Sequence, residues 1–278
     1  MSLNTEALTN VANTIRGLSI DAIEAANSGH PGLPLGCAEL VAYLYGHGMS
    51  YHPHHPDWIN RDRFVLSAGH GSMVLYSALH LAGFNLSLDD IKNFRQLHSK
   101  TAGHPEYGEA DGIETTTGPL GQGLATAVGM ALSQKMAAAQ TKSDLFNATT
   151  YVLAGDGCLM EGVSAEASSF AGHLNLDNLV VIYDSNDICL DGPTSECFTE
   201  DTAKRYEAYG WFVQTIDGHS FDMIHNAVEA AKQAEQPSLI VAKTIIGKGA
   251  PTVQGTSESH GKALGPDEAK KAKEAFNI

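Results

Sequence analysis

Basic residues are scarce in this chain. Lysine and arginine together number 17 against 32 acids, a formal net charge of −15. So acidic a surface repels polyanions and argues against nucleic acid or an anionic membrane as a partner. An anionic ligand would have to be held by local devices: a metal, a helix N-terminus or histidines. Cysteine is also sparse, with four residues (Cys37, Cys158, Cys189 and Cys197) and no CxxC pair. They read as reduced, mostly structural thiols, the pattern expected in the cytoplasm. The first residues lack the basic start, apolar core and cleavage signal of a secretory peptide, and no apolar run approaches membrane-spanning length. Familiar phosphate motifs are missing as well. Gly155, Gly157 and Gly162 do not spell GxGxxG, and neither Gly247-Lys248 nor Gly261-Lys262 has a Walker glycine at the required distance.

What is present is a regular alternation. Leu8, Val11, Ile15, Leu18, Ala22 and Ala26 recur every three or four residues, which predicts an amphipathic helix over 4–26, stopped by Asn27, Gly29 and Pro31. A second helix is expected over 37–45, and a proline-rich loop over 51–62. RFVLSAGHGSMVLYSALHLAG reads as strand, glycine turn and helix. The weak pattern of 87–117 suggests a surface excursion, and GPLGQGLATAVGMALSQKMAAA a glycine loop opening a small-residue helix. Strands 150–155, 179–184, 212–216 and 238–243 then alternate with helices 161–174, 202–209 and 221–234. A short charged helix is expected over 266–276. Strand–helix alternation means right-handed crossovers and a doubly wound, mostly parallel α/β sheet. No linker divides the chain, so all 278 residues are read as one domain with a long N-terminal helix.

Successive parallel strands end on the same edge of a sheet, where ligands bind. Asp156 follows one predicted strand and Asn186 the next, in GDGCLMEGVSAEASSFAGHLNLDNLVVIYDSND. That brings a carboxylate and an amide oxygen together. Mg²⁺ takes about six oxygens and usually keeps phosphate and water among them. Asp156, Asn186, the carbonyl of Ile188, diphosphate oxygens and water would complete such a set. Gly157 lets the backbone approach a phosphate, and the following helix offers N–H groups. GDG by itself is an ordinary turn. Its spacing to Asn186 across one strand–helix–strand unit is what points to a metal–diphosphate site.

This spacing resembles the thiamine diphosphate motif, and the GDGCLMEG wording is that of transketolases. SGHPGLPLG, SAGHGSMVLYSALHLAG, LHSKTAGHPE, ETTTGPLGQG and SHGKALG are similar to transketolase blocks in the family's order. The resemblance covers nearly the whole chain. It implies ketol transfer from a ketose phosphate to an aldose phosphate in the pentose phosphate pathway, with thiamine diphosphate and Mg²⁺, or Ca²⁺ or Mn²⁺ in its place. Of thirteen histidines, it singles out four. His30 and His260 match residues that handle sugar hydroxyl protons, His104 one that holds the donor's terminal hydroxyl, and His70 a cofactor contact. Neutral imidazole suits such acid–base work. Gly118, Pro119 and Leu120 match the loop against the cofactor ring and diphosphate. Glu161 matches an acid coupling distant sites at a dimer interface, and is also well placed to stabilise a helix N-terminus. His52, His54 and His55, crowded on the proline loop, read as solvated.

In the family, the glutamate that tautomerises the cofactor's aminopyrimidine, the pyrimidine pocket and most phosphate-binding arginines lie in a second domain. The resemblance therefore implies the N-terminal subunit of a split transketolase. It would homodimerise within an α₂β₂ assembly completed by a C-terminal subunit. Two other readings stand beside it. One is a transketolase-type enzyme for an unusual sugar or for deoxyxylulose phosphate, the latter disfavoured by Glu161 and the TTTGPLGQG wording. The other is a cofactor-binding module without turnover, which would have no need of four site histidines.

Overall fold

The computed structural model describes residues 3–278. The apolar spacing of the N-terminal segment becomes α1 (Thr5–Ala26), capped by the Asn4 side chain and ended by Asn27 in the left-handed conformation. Ten further helices follow: α2 (Gly32–Gly36), α3 (Ala38–Tyr43), α4 (Ser72–Leu81), α5 (Leu88–Lys92), α6 (Gln122–Thr141), α7 (Asp156–Met160), α8 (Gly162–His173), α9 (Thr202–Ala208), α10 (Phe221–Gln233) and α11 (Pro266–Ala275). The strands are β1 (Arg63–Leu66), β2 (Thr150–Gly155), β3 (Leu179–Ser185), β4 (Phe212–Asp217) and β5 (Ser238–Lys243).

All five strands are parallel, in the order β1-β2-β3-β5-β4. Every residue of β3 and all but the last of β2 are buried. That is why these strands read as unbroken Val, Ile, Leu and Tyr runs rather than as alternation: a parallel sheet is covered on both faces. The edge strand β4 is only partly buried, and its sequence is correspondingly more polar. The expected α/β architecture is present.

Three local expectations are corrected. GLPLG forms the helical turn α2, because Pro31 and Pro34 sit at its cap and in its first turn, where a missing N–H costs nothing. The helix expected to reach Tyr45 widens after Tyr43 into a π-turn, with Met49 N–H bonded to Leu44 C=O at 2.9 Å. The 87–117 excursion is not merely superficial. It carries α5, fixed by a Ser87–Asp90 capping box, and buries Ile91, Phe94, Thr101, Ile113 and Thr117.

A buried ionic cluster ties α1 and α3 to the segment after β5. The Glu39 carboxylate receives Arg16, Lys248 at 2.9 Å and His219 Nδ1 at 3.3 Å. Burial would push the Glu39 carboxyl up, but the His219 hydrogen bond and the Arg16 and Lys248 charges outweigh it and hold it down at about 2. On the other ring nitrogen, His219 Nε2 accepts the N–H of Ile245 at 3.1 Å.

Helix α8 presses its Gly172 directly onto the turn before β4. A methyl there would stand 1.8 Å from the backbone oxygen of Tyr209. No rotamer can relieve a clash with backbone. Gly172→Ala is therefore expected to destabilise the chain by about 1–3 kcal/mol, seen as a lower urea midpoint at unchanged slope. A wild-type midpoint would show that α8 is free to shift.

Candidate active site

The parallel sheet brings four strand ends to one cavity of about 430 Å³. Ala68 and His70 follow β1, Asp156 and Gly157 follow β2, Asn186 and Ile188 follow β3, and Ile246 follows β5. His30, from the loop between α1 and α2, and His260, ahead of α11, close it from the side together with Leu33, Leu120 and Leu190.

Asp156 is 6% exposed. Its Oδ1 accepts the Tyr183 hydroxyl, and no cation pairs with it among the described residues. Burial pushes its carboxyl up to about 6; the Tyr183 hydrogen bond works against this, and the negative charges of Asp184 and Asp187 add to it. Asp184 lies beneath, fully enclosed, accepting from Thr244 Oγ1 and from Asn186 Nδ2 at 3.0 Å. Those bonds turn the Asn186 amide so that Oδ1 accepts the Ile188 N–H at 3.0 Å. An amide oxygen has a second lone pair, so it remains available as a donor to a metal.

Four histidines gather over this floor. His30 lies 5.2 Å from His70, 5.9 Å from His260 and 6.4 Å from His104, ring centre to ring centre. His70 stacks on His260 at 5.1 Å. Burial, reinforced by the neighbouring imidazoles, pushes His70 down to about 3. His30 falls to about 4 through burial, then the Arg95 charge, then His260 and His104. His260 and His104 are also lowered, chiefly by burial. The cluster is thus neutral at physiological pH. His260 Nδ1 is buried without a partner, a polar atom awaiting a ligand.

The loop carrying Gly118 crosses above. Gly118 adopts φ +142°, and a side chain there would meet the His104 ring at 3.3 Å. A Cβ at Gly69, after β1, would lie 2.8 Å from the Gly118 N–H. Both positions keep backbone within reach of a ligand.

Of the residues named from sequence, His30, His70, His260, Gly118, Leu120, Asp156, Gly157, Asn186 and Ile188 line the cavity. His104 joins the histidine cluster from a neighbouring groove. Glu161 and Pro119 stand outside, both exposed. Glu161 is at the N-terminal cap of α8, where a Cβ on Gly121 would touch it. Asp156 follows β2 as expected and starts the short helix α7. His52, His54 and His55 are exposed on their loop. Sequence reasoning missed Tyr183, Asp184, Thr244 and Arg95. The first two had a signal: polar groups closing a buried run in VVIYDSND. The four cysteines, expected to be mostly structural, divide into Cys189 and Cys197 on one side and Cys37 and Cys158 on the other. Only the latter two are buried, whereas Cys189 and Cys197 line the cavity with sulfurs 3.6 Å apart.

The donor set fits a diphosphate held through a hard divalent metal. It offers one underpaired buried carboxylate, one amide oxygen and a nearby backbone carbonyl, with glycine backbone on either side. Asp156, Asn186 and Ile188 would hold the metal.

The fold and cavity define an α/β domain with a ligand site at the carboxyl edge of its parallel sheet. Comparison with known proteins narrows this. Residues 7–278 match the family described as transketolase, thiamine diphosphate binding domain. A transketolase of Treponema pallidum is 56% identical over 276 residues, 98% of this chain and 42% of that protein. The crystal structure of Campylobacter jejuni transketolase superposes with a TM-score of 0.97 at 50% identity, over 99% of this chain and 43% of that one. A Pichia stipitis transketolase, solved in complex with sedoheptulose 7-phosphate, gives 0.93 at 47% identity, over 98% of this chain and 41% of that one. The chain therefore belongs to the transketolase family, matching its thiamine diphosphate-binding domain, and spans about two fifths of the length of these relatives.

The unpaired carboxylate makes a testable difference. Asp156 titrates near 6 when folded but near its ordinary 3.8 when unfolded, so the folded chain binds that proton more tightly. Its ionisation therefore destabilises the unliganded fold progressively as pH rises from about 4 through about 6. Asp156→Asn should stabilise the unliganded chain by about 1–3 kcal/mol at pH 7.5 and by little at pH 4. Urea titrations at the two pH values check this; an equal effect at both would refute the ionisation argument.

Proposed function

We propose that this chain is the diphosphate-binding half of a transketolase that moves a two-carbon ketol unit from a ketose phosphate to an aldose phosphate. The observation that supports this best is the cluster of neutral histidines set over the Asp156–Asn186 floor, in a chain of the transketolase family. The sugar phosphate bound by the Pichia stipitis relative supports the substrate class.

Thiamine diphosphate supplies the electron sink for breaking a carbon–carbon bond beside a carbonyl. The residues of this chain do the rest. Asp156, Asn186 and the Ile188 carbonyl would hold Mg²⁺, or Ca²⁺ or Mn²⁺, against the diphosphate. Gly118 and Leu120 would face the cofactor, with Pro119 between them shaping the loop from outside the cavity, and His70 would contact the cofactor. His30 and His260 handle the sugar hydroxyl protons, and His260, a neutral imidazole whose Nδ1 has no partner, is ready to accept one. His104 holds the donor's terminal hydroxyl.

One part of the chemistry is not supplied here. The acids lining the cavity are Asp156 and Asp184, both at the diphosphate floor, and no glutamate lines it among the described residues. The glutamate that tautomerises the aminopyrimidine thus comes from a separate pyrimidine-binding region, in this reading a C-terminal subunit. Two-fold closure of two such pairs, with Glu161 at the interface between copies, gives α₂β₂. We assign this assembly to the cytoplasm and to pentose phosphate or related sugar metabolism, a reading supported by its likeness to transketolases.

A mixing assay tests the reading. The purified chain with thiamine diphosphate and Mg²⁺ should show no ketol transfer. Adding a polypeptide bearing the pyrimidine pocket should start it. Turnover by the chain alone would overturn the two-part site, and no turnover on any ketose phosphate after mixing would overturn the activity itself.

The histidine roles have a separate check in the mixed enzyme. His30→Ala and His260→Ala should each slow donor cleavage by about 10²–10⁴-fold with calorimetric cofactor affinity nearly unchanged. Equal damage from His52→Ala would show that the wrong cluster has been chosen.

A further inference from the structure

The chain has five arginines. Arg16, Arg61, Arg63 and Arg205 each pair with a glutamate. Arg95 does not. In a protein with almost two acids per base, its guanidinium goes to a neutral hydroxyl and an imidazole: Nη1 donates to Ser28 Oγ at 2.8 Å and Nη2 to His30 Nδ1 at 3.3 Å.

The approach is built rather than casual. Arg95 has a left-handed backbone (φ +58°) and is tied by its own N–H to Thr101 C=O at 2.9 Å. Its guanidinium lies so close to Gly103 that a Cβ there would stand 2.9 Å from Nε, and that Nε is buried without a partner. Ser28 and His30 flank Gly29 on one loop, so the guanidinium fork grips that loop at two points.

A guanidinium can only donate. Nδ1 of His30 must therefore accept, which leaves the proton of the neutral ring on Nε2. We propose that Arg95 is a positioning residue that fixes His30 as a neutral, Nε2-protonated imidazole at the mouth of the cavity. With no carboxylate paired to it among the described residues, the Arg95 charge acts on the ring and opposes a second proton. The groups facing His30 are Arg95, His70, His104 and His260, all cationic or neutral. Glu106 and Glu109 line the groove that Arg95 and His104 share, and Asp191 acts on His260, but none of these three acids is among the groups that shift His30. The catalytic consequence rests on the transketolase reading, but the tautomer and titration of His30 do not.

The test therefore has two arms. Nitrogen and carbon NMR of the His30 ring in the full chain should show the Nε2-protonated tautomer titrating near 4. In Arg95→Gln the midpoint should rise toward the ordinary value of about 6.5, with circular dichroism and cofactor affinity unchanged. Arg95→Lys, which keeps the charge without the fork, should restore most of the midpoint but not the fixed tautomer. In the mixed enzyme, Arg95→Gln should lower kcat by about ten- to hundredfold and move the acidic limb of the pH profile to higher pH. An unmoved His30 midpoint and tautomer in Arg95→Gln would overturn the proposal. So would a change confined to KM for phosphorylated sugars, which would make Arg95 a substrate contact. Absence of ketol transfer in wild type, with the NMR result as expected, would overturn only the assigned activity.

Discussion

Every strand of the sheet runs the same way, and the site depends on that constraint. A single parallel direction puts the carboxyl ends of β1, β2, β3 and β5 on one edge. Each end then needs at most four residues to reach the same space: His70, Asp156, Asn186 and Ile246 are separated widely in sequence yet line one cavity. Had any of these strands been antiparallel, its functional residue would lie at the opposite end of the sheet. The Gly118 loop and the two histidine loops act as a cover over an edge that the topology has already assembled.

Two solutions to buried charge stand side by side. Glu39 is enclosed by Arg16, Lys248 and His219 and is held as an anion. Asp156 is similarly buried but has only a phenol and two further acids nearby. The first arrangement makes a scaffold, because breaking any contact leaves a buried charge alone. The second makes a receptor, because a cation is what it lacks. The same contrast holds for arginine, with four paired and one turned onto an imidazole. The Glu39 cluster also bears on the cavity at one remove. His219 anchors the Ile245 N–H, and Ile246, the next residue, forms part of the wall.

The strands and most helices were legible because burial on two faces leaves an unmistakable apolar run and because turns punctuate it. Strand boundaries from Thr150 to Lys243 fall within a residue of expectation. What was not legible is what depends on proline context or on distance. The α2 turn was hidden because Pro31 reads as a stop when it is a cap. Arg95 was hidden because nothing in NFRQL marks a cation directed at His30, 65 positions away. Tyr183 and Asp184 look like strand residues until β2 and β3 are placed together. The histidines were singled out by family wording rather than by spacing, and Glu161 and Pro119 carry no contact with the cavity that spacing could have revealed.

The strand order has a consequence for how the chain reaches this state. β1 pairs with β2 only after an intervening stretch that separates Asp62 from Thr149 by 87 residues. β4 has no partner until β5, the next strand in sequence, inserts between it and β3. Non-local pairings of this kind require loop closure before they return any contact, and they slow folding. The first pairing within reach of local closure is β2 with β3, the pair that carries Asp156 and Asn186. The floor of the site can thus be laid down early, while its walls wait for the last strand to emerge.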